Sequence, residues 1–394
     1  MTVRAFLVSL FLAPGVCLSQ QTLIPPARLL LEDRWAIHGA SVWREIKLGG
    51  DRYTQLAFPL ASVVPLSSSL MVRVANTPYL ASSDTLGTIV SPSDTHVGLS
   101  WYFPDTPFLI LADANLATGK KAASRGKQVL TSVTTLRAFG FPVQSLGEGF
   151  NIQVGGAWAK EISTLFIIHA GAVYLSRGRF QPVDTLGLYD PGDEATAAVG
   201  GEYRPDRRTS LACDIASTFY GSDRLQSVDV LGVPIGSFFV FRKPGVRLTC
   251  TGRWTHRAEN GVLQDAYASA RVRISPDVLT VEDAEIRHGP EVELDYRAEI
   301  PLSRSSSWRL DLSIHAAWFS ASEYRPFSGI IAKGFSAFIV DPWAGIGWRP
   351  RDALEVKAQL GMTRGTAEIG SSRASVNGWV FRLYTAIVME GGRK

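Results

Sequence analysis

The stretch from Val292 to Ile300 reads Val-Glu-Leu-Asp-Tyr-Arg-Ala-Glu-Ile. Glu293, Asp295, Arg297 and Glu299 are charged, and Val292, Leu294, Tyr296, Ala298 and Ile300 between them are apolar. An extended chain sends successive side chains to opposite faces, so this segment has one charged face and one apolar face. Such a strand needs a sheet with water on one side and apolar matter on the other.

The same period recurs along the chain. Val97, Leu99, Trp101 and Phe103 alternate with more polar residues, as do Phe150 to Trp158, Val246 to Trp254, Leu310 to Trp318 and Val356 to Met362. Turn signals separate the segments: Arg204-Pro205-Asp206, Lys243-Pro244-Gly245, Ser275-Pro276-Asp277 and Trp348 to Asp352. Longer polar stretches, 117–135, 179–193, 220–229 and 321–332, alternate with them and are expected to be loops at the opposite end. Trp101, Tyr102, Phe103, Trp158, Trp254, Trp318, Phe319, Trp343, Trp348, Trp379 and Phe381 are expected near strand ends, where Trp and Tyr suit a membrane interface.

A content of 46% hydrophobic and 19% charged residues excludes a disordered chain, and a formal net charge of +4 over 394 residues gives no nucleic-acid footprint. Residues 1–19 read as a signal peptide: Arg4 starts it, Ala5 to Ala13 form its apolar stretch, and Cys17-Leu18-Ser19 offers a small-x-small cleavage site. A lipid-modified Cys17 is the rival reading, and Pro14 and Val16 fit it poorly. Residues 20–33 do not alternate and are expected to be an N-terminal extension, periplasmic or inserted in the lumen, with an ordinary flexible terminus as the alternative. No later stretch holds the ~18 apolar residues of a transmembrane helix. An exported chain of this kind is either a soluble β protein or a membrane barrel.

Three features favour the barrel. The alternating segments run through the whole chain. Their apolar faces include Gly156, Gly252 and many alanines, which suit fluid lipid better than a packed core. Their polar faces mix acid and base on strands expected to be neighbours. Residues 34–394 are therefore expected to form one all-β, transmembrane antiparallel β-barrel of about 12–14 strands, with 16 as the upper bound. Its expected lumen residues are Arg247, Arg253, Arg271, Arg273, Glu293, Asp295, Arg297, Glu299, Asp311, His315 and Lys357. Cys213 and Cys250 fall on apolar faces and read as small hydrophobes facing lipid, with a disulfide as the alternative. The last strand is followed by Glu390-Gly391-Gly392-Arg393-Lys394, a departure from the terminal aromatic common in such barrels.

The residues offer little covalent chemistry. Ala114 to Lys120 superficially resembles a phosphate loop but lacks its first Gly and the Ser or Thr after Lys. The histidines, His38, His96, His169, His256, His288 and His315, are scattered, so no metal or other cofactor is expected. His96 with Ser100, or Asp311 with Ser313 and His315, are the candidates for an outer-membrane hydrolase acting on lipid, lipopolysaccharide or peptide. The basic stretch Lys120, Lys121, Arg125 and Lys127 is a candidate contact for lipopolysaccharide phosphates, if it forms an outer loop.

Three short segments resemble a family of bacterial outer-membrane transporters often described as phenol-degradation-pathway porins, akin to the long-chain fatty-acid and hydrocarbon transporters. They are Leu116-Ala117-Thr118-Gly119-Lys120, similar to the family's Leu-Pro-Thr-Gly with Ala117 in place of Pro, Leu146-Gly147-Glu148-Gly149-Phe150, and Tyr189-Asp190-Pro191-Gly192-Asp193. The resemblance covers roughly residues 50–205. It implies a monomeric barrel of about 12–14 strands that passes small, often hydrophobic molecules. The expected partners are outer-membrane lipid, lipopolysaccharide, the barrel assembly machinery and a small solute. The expected function is a passive channel without enzyme activity. The alternatives are the hydrolase and a barrel plugged by its own charges, serving structure or surface interaction.

Overall fold

The computed structural model describes residues 34–390, apart from 104–105, 120–124, 135, 144–146, 148, 182–186, 229–233, 281–282, 304–305, 327–331, 352 and 370–371. The expected signal peptide and N-terminal extension lie outside these residues.

Sixteen antiparallel strands close on themselves. They are β1 (Arg34–Leu48), β2 (Asp51–Ala57 continued by Leu60–Pro65), β3 (Leu70–Asn76 continued by Tyr79–Ser83) and β4 (Gly87–Ser91 continued by Thr95–Tyr102). Then come β5 (Phe108–Leu116), β6 (Asn151–Ser163), β7 (Phe166–Ser176), β8 (Glu194–Tyr203), β9 (Thr209–Tyr220) and β10 (Arg247–Arg257). The last are β11 (Leu263–Arg273), β12 (Glu291–Pro301), β13 (Trp308–Phe319), β14 (Phe335–Arg351), β15 (Leu354–Ile369) and β16 (Ser372–Glu390). β1 pairs with β16 along its whole length, from Arg34 opposite Glu390 to Leu48 opposite Val376, so the wall has no free edge. The strand number sits at the upper bound of the sequence expectation and above the 12–14 implied by the family resemblance.

The excess has a physical cause in β2, β3 and β4. Each is interrupted at a proline: Pro59, Pro78 and Pro92. Proline has no N–H for the ladder, so the local alternation is lost there. Neighbouring groups close the gaps. Ala40 N–H donates to Pro59 O at 2.9 Å, and Phe58 N–H donates to Pro78 O at 2.8 Å. Thr77 N–H donates to the Ser93 hydroxyl at 3.0 Å.

Above β8–β14 the wall continues as a second sheet of seven short strands, among them Asp223–Val228, Pro234–Lys243, Asp277–Leu279 and Ala284–Arg287. Lys243-Pro244-Gly245 and Ser275-Pro276-Asp277 are therefore not turns, contrary to the sequence expectation. The chain passes through the first from upper sheet to barrel wall and through the second from wall to upper sheet. Side chains supply the bonds that the interrupted ladder lacks: Gly245 N–H donates to Asp277 Oδ1 at 2.8 Å, and Val246 N–H to Ser275 Oγ at 3.0 Å. The polar stretches 220–229 and 321–332 likewise contain strands of this sheet, Asp223–Val228 and Glu323–Pro326.

Large apolar side chains stand exposed on the outward faces around the barrel, including Ile37, Leu99, Val154, Val199, Leu294 and Leu383. Exposed aromatics gather at two levels. Trp35, Trp101, Phe108, Tyr203 and Trp308 lie near the end with the short turns, and Tyr174, Phe219, Trp318, Phe338 and Trp379 lie towards the other end. On β13, Trp308 and Trp318 are ten residues apart. At ~3.3 Å per residue and a tilt of about 40° that is roughly 25 Å along the barrel axis, the height of a lipid-facing band. Trp343 and Phe319 depart from the expected girdle: both are buried on the inner face. Cys213 and Cys250 are exposed free thiols on the outer face of β9 and β10.

Candidate functional site

The largest cluster of buried apolar residues lies inside the barrel. The connection between β5 and β6 enters the lumen, carrying helix α1 (Arg125–Thr134) and a 3-10 turn at Arg137–Phe139. Leu130, Phe139, Phe141 and Val143 pack against Ile46, Tyr53, Tyr79 and Ile89 on one side and Ala317, Phe319, Ile339 and Val376 on the other. Burying each of these four side chains contributes roughly 2 kcal/mol before the cost of ordering the segment. Residues 117–135 are thus not simply the outer loop expected from their polarity. Lys127, expected to meet lipopolysaccharide from such a loop, sits half-buried on α1, because the apolar residues that follow draw the segment inward. Lys120 and Lys121 lie outside the described residues.

Polar anchors fix the segment. Gln55, buried on β2, donates to Val143 O at 3.0 Å and accepts from Val143 N–H at 2.7 Å. Gly140, at φ +58°, ends the 3-10 turn, and a β-carbon there would press on the Arg44 guanidinium at 3.2 Å. Arg137 meets Glu293 on β12 at 2.6 Å. At the root, Thr118 donates to Ser93 O at 3.0 Å and Gly119 N–H to Asp94 Oδ1 at 2.8 Å, beside the Pro92 interruption. The first family-like motif therefore clips the inserted segment to β4. In the second, Gly149 O accepts from Asn115 at 3.2 Å, while Leu146 and Glu148 lie outside the described residues. In the third, Gly192 N–H donates to Asp223 at 2.9 Å and Asp193 accepts from Arg177 N–H at 2.9 Å.

The eleven residues expected in the lumen lie on the face opposite the exposed apolar one. Most are paired there. Arg297 donates to Asp311 from Nε at 3.0 Å and meets Glu299 at 2.7 Å. Lys357 bridges Glu299 and Glu355, both at 2.8 Å. Arg271 shares Glu293 with Arg137, at 3.4 Å. Asp295 binds His315 at 2.7 Å, and Arg253 grips Asp265 at 2.7 and 2.9 Å. Arg273 pairs with Asp277 at 3.1 Å, at the base of the upper sheet. Arg247 has no carboxylate partner among the described residues and lies over the Tyr220 ring, 5.6 Å from its centroid.

Asp277 illustrates how such a group stays charged. Burial alone would raise its carboxyl pKa, but the His288 hydrogen bond, the Gly245 N–H and the Arg273 charge outweigh burial and leave it below the usual carboxylate value.

Several lumen residues left no simple sequence signal. Arg44, only 1% exposed, pairs with Asp341 at 2.9 Å and donates to Thr363 at 3.2 Å. Arg382 lies over Trp343, its guanidinium carbon 3.8 Å from the ring centre. Some pairs form across a whole intervening strand. His169 on β7 meets Asp214 on β9 over Gly200 of β8. Arg73 on β3 meets Asp113 on β5 at 2.8 Å over Gly98 of β4. Gln359 on β15 reaches Asp311 on β13 at 3.2 Å over Gly345 of β14. A glycine on the middle strand leaves the gap through which its two neighbours touch.

The lumen has a dry side and a wet side. Where β13–β16 and β1–β4 pack on the inserted segment, inner residues are sealed. On β10 to β13 the inner face is mixed: Arg271, Glu293, Glu299 and Asp311 are buried in their ion pairs, while side-chain exposures reach 42% at Arg253, 43% at Asp295 and 27% at His315. Asp311 is held by Arg297 and His315 by Asp295, so the Asp311–Ser313–His315 arrangement is not assembled as a nucleophile and base. No group of three or more metal-ligating side chains converges among the described residues.

No protein-family model matches the chain, and no curated protein matches its sequence. Among solved structures the chain is similar to the CymD monoaromatic hydrocarbon channel, at 8% identity and a TM-score of 0.43, with 93% of this chain and 91% of that one covered. It is also similar to an outer membrane channel from Pseudomonas putida F1, at 10% identity and a TM-score of 0.38, covering 93% and 100%. A third likeness is to an anion-selective porin from Comamonas acidovorans, at 11% identity and a TM-score of 0.39, covering 90% and 99%.

Proposed function

We propose that this chain is a passive outer-membrane channel for small solutes, with the inserted segment narrowing its lumen. The observation that carries this reading is the exposure of Arg253, Asp295 and His315 inside a closed wall. Charged side chains that keep more than a quarter of their surface free on the inner face line a water-filled space, while the outer face is apolar and suited to lipid. The lumen charges hold water and orient the polar part of a solute. The family resemblance of its turn motifs favours hydrophobic or aromatic solutes. Export by a signal peptide, insertion by the barrel assembly machinery, a monomeric state and lipopolysaccharide contact through Lys120 and Lys121 belong to the same proposal.

Purified protein in planar bilayers tests it. Stepwise conductance, with solute-dependent swelling of loaded vesicles, is the expected result. A bilayer that stays tight at high protein load would leave a plugged structural barrel instead. Fractionation tests the location: the chain is expected in the outer membrane, with electrophoretic mobility that changes on boiling.

A further inference from the structure

We propose that Arg382, seated on Trp343, forms a binding position in the lumen for an organic carboxylate. The inference rests on the channel reading and names a solute class for it. Arg382 projects inward from β16, and its guanidinium lies over the Trp343 indole, 3.8 Å from the ring centre. Trp343 is buried against Val42 and Val380, so the guanidinium covers an apolar floor. Arg382 Nε is enclosed without a hydrogen-bond partner, while the residue as a whole stays partly open.

Arg382, like Arg247, lacks a counter-charge among the described residues. Nearby guanidiniums are matched: Arg44 with Asp341, Arg297 with Asp311, Arg309 with Glu299 and Arg349 with Glu355. The charged groups around Arg382 are Arg44, Arg297, Asp341 and Asp295. Of these carboxylates, Asp341 is held by Arg44 and Asp295 by His315. No ion pair or hydrogen bond joins Arg382 to another described side chain. A guanidinium removed from bulk water without a partner is costly, and a carboxylate satisfies its planar fork with two parallel charge-assisted bonds. The Trp343 ring beneath it holds the guanidinium in place. Arg247 over Tyr220 repeats the guanidinium-on-ring arrangement nearer the upper sheet.

Titration calorimetry of the refolded, detergent-solubilised barrel with benzoate, and with neutral benzamide as the matched control, tests this. The expected result is saturable benzoate binding, at least about tenfold weaker in Arg382→Gln and intermediate in Arg382→Lys, which keeps the charge and loses the fork. Benzamide is expected to bind no better than to the Gln variant. Absence of benzoate binding by the wild type, equal affinity for benzamide, or unchanged benzoate affinity in Arg382→Gln would each overturn the site. Heat-dependent electrophoretic mobility verifies that both variants are folded, and the Lys variant supplies the comparison if Gln does not fold. Bilayer conductance of the same preparation reads the channel separately: a barrel that binds benzoate and passes no current retains the site and loses the channel.

Discussion

Arg137, on the segment folded into the barrel, meets Glu293 on β12 through two contacts of 2.6 Å. The pair ties the inserted segment to the wetter side of the lumen, while Phe139, two residues on, is buried on the dry side. The segment thus spans from one wall towards the other, held by charge at one end and by apolar packing at the other.

Cutting the polar tie should free the segment while leaving its apolar hold. Arg137→Ala is expected to cost about 1.5–3 kcal/mol, the range for hydrogen bonds to charged groups, because Glu293 keeps Arg271 as a partner. Its readout is a larger single-channel conductance with the barrel intact. Phe139→Ala removes a fully buried ring and should cost more, about 3–5 kcal/mol. Thermal loss of the compact electrophoretic form measures both. An Arg137→Ala channel with unchanged conductance would show that the segment does not limit the pore.

Gly200 is where a side chain is least tolerable on β8. A β-carbon there would fall on His169 Nε2 and Asp214 Oδ1, the pair that meets over this strand. Gly200→Val should push the pair apart and destabilise the barrel by about 1–3 kcal/mol through overpacking. A chemical-denaturation midpoint equal to that of the wild type would show that the two neighbours do not depend on the gap.

The turn between β8 and β9 carries an acid-sensitive anchor. Asp206 accepts the Arg208 N–H at 2.6 Å and the Thr209 N–H at 2.7 Å. The Arg208 amide, followed by the Thr209 amide and hydroxyl, holds its carboxyl below the usual carboxylate value despite some desolvation. A depressed folded-state pKa means a contribution that is present above the ordinary carboxylate pKa of about 4 and is lost as pH falls through the folded value. The Asp206→Asn variant should therefore lose the part of the acid dependence of stability that falls below about pH 4. Identical acid profiles would remove this role.

Cys213 and Cys250 mark the outer wall. Both are free and exposed, and the pairing of Cys213 with Gly252 and of Ile215 with Cys250 makes them diagonal neighbours on β9 and β10. A nitroxide on either thiol in reconstituted vesicles should collide more with oxygen, which concentrates in lipid, than with a water-soluble nickel chelate. A label on Asp265→Cys, in a background without the native cysteines, should show the reverse. Equal accessibility at the two faces would contradict a lipid-facing wall.

The charged face of Val292–Ile300 fixed the character of the wall before any pairing was known, because a strand has only two faces and this one separates its residues by solvent preference. The same physics placed Cys213 and Cys250 outside and Arg297, Asp295 and Lys357 inside. Three things lay beyond it. The prolines in β2, β3 and β4 erase the local period, so the count of sixteen depends on which distant strands pair. The polar composition of 117–135 reads as a loop, and only the convergence of eight strands on Leu130, Phe139 and Phe141 shows that it folds inward. The pairing of His169 with Asp214, and of Arg73 with Asp113, needs the register that sets a glycine between them. Alternation is local and is written in adjacent residues. Register, closure and the filling of the lumen are relations between residues far apart in the chain, and only the tertiary structure decides them.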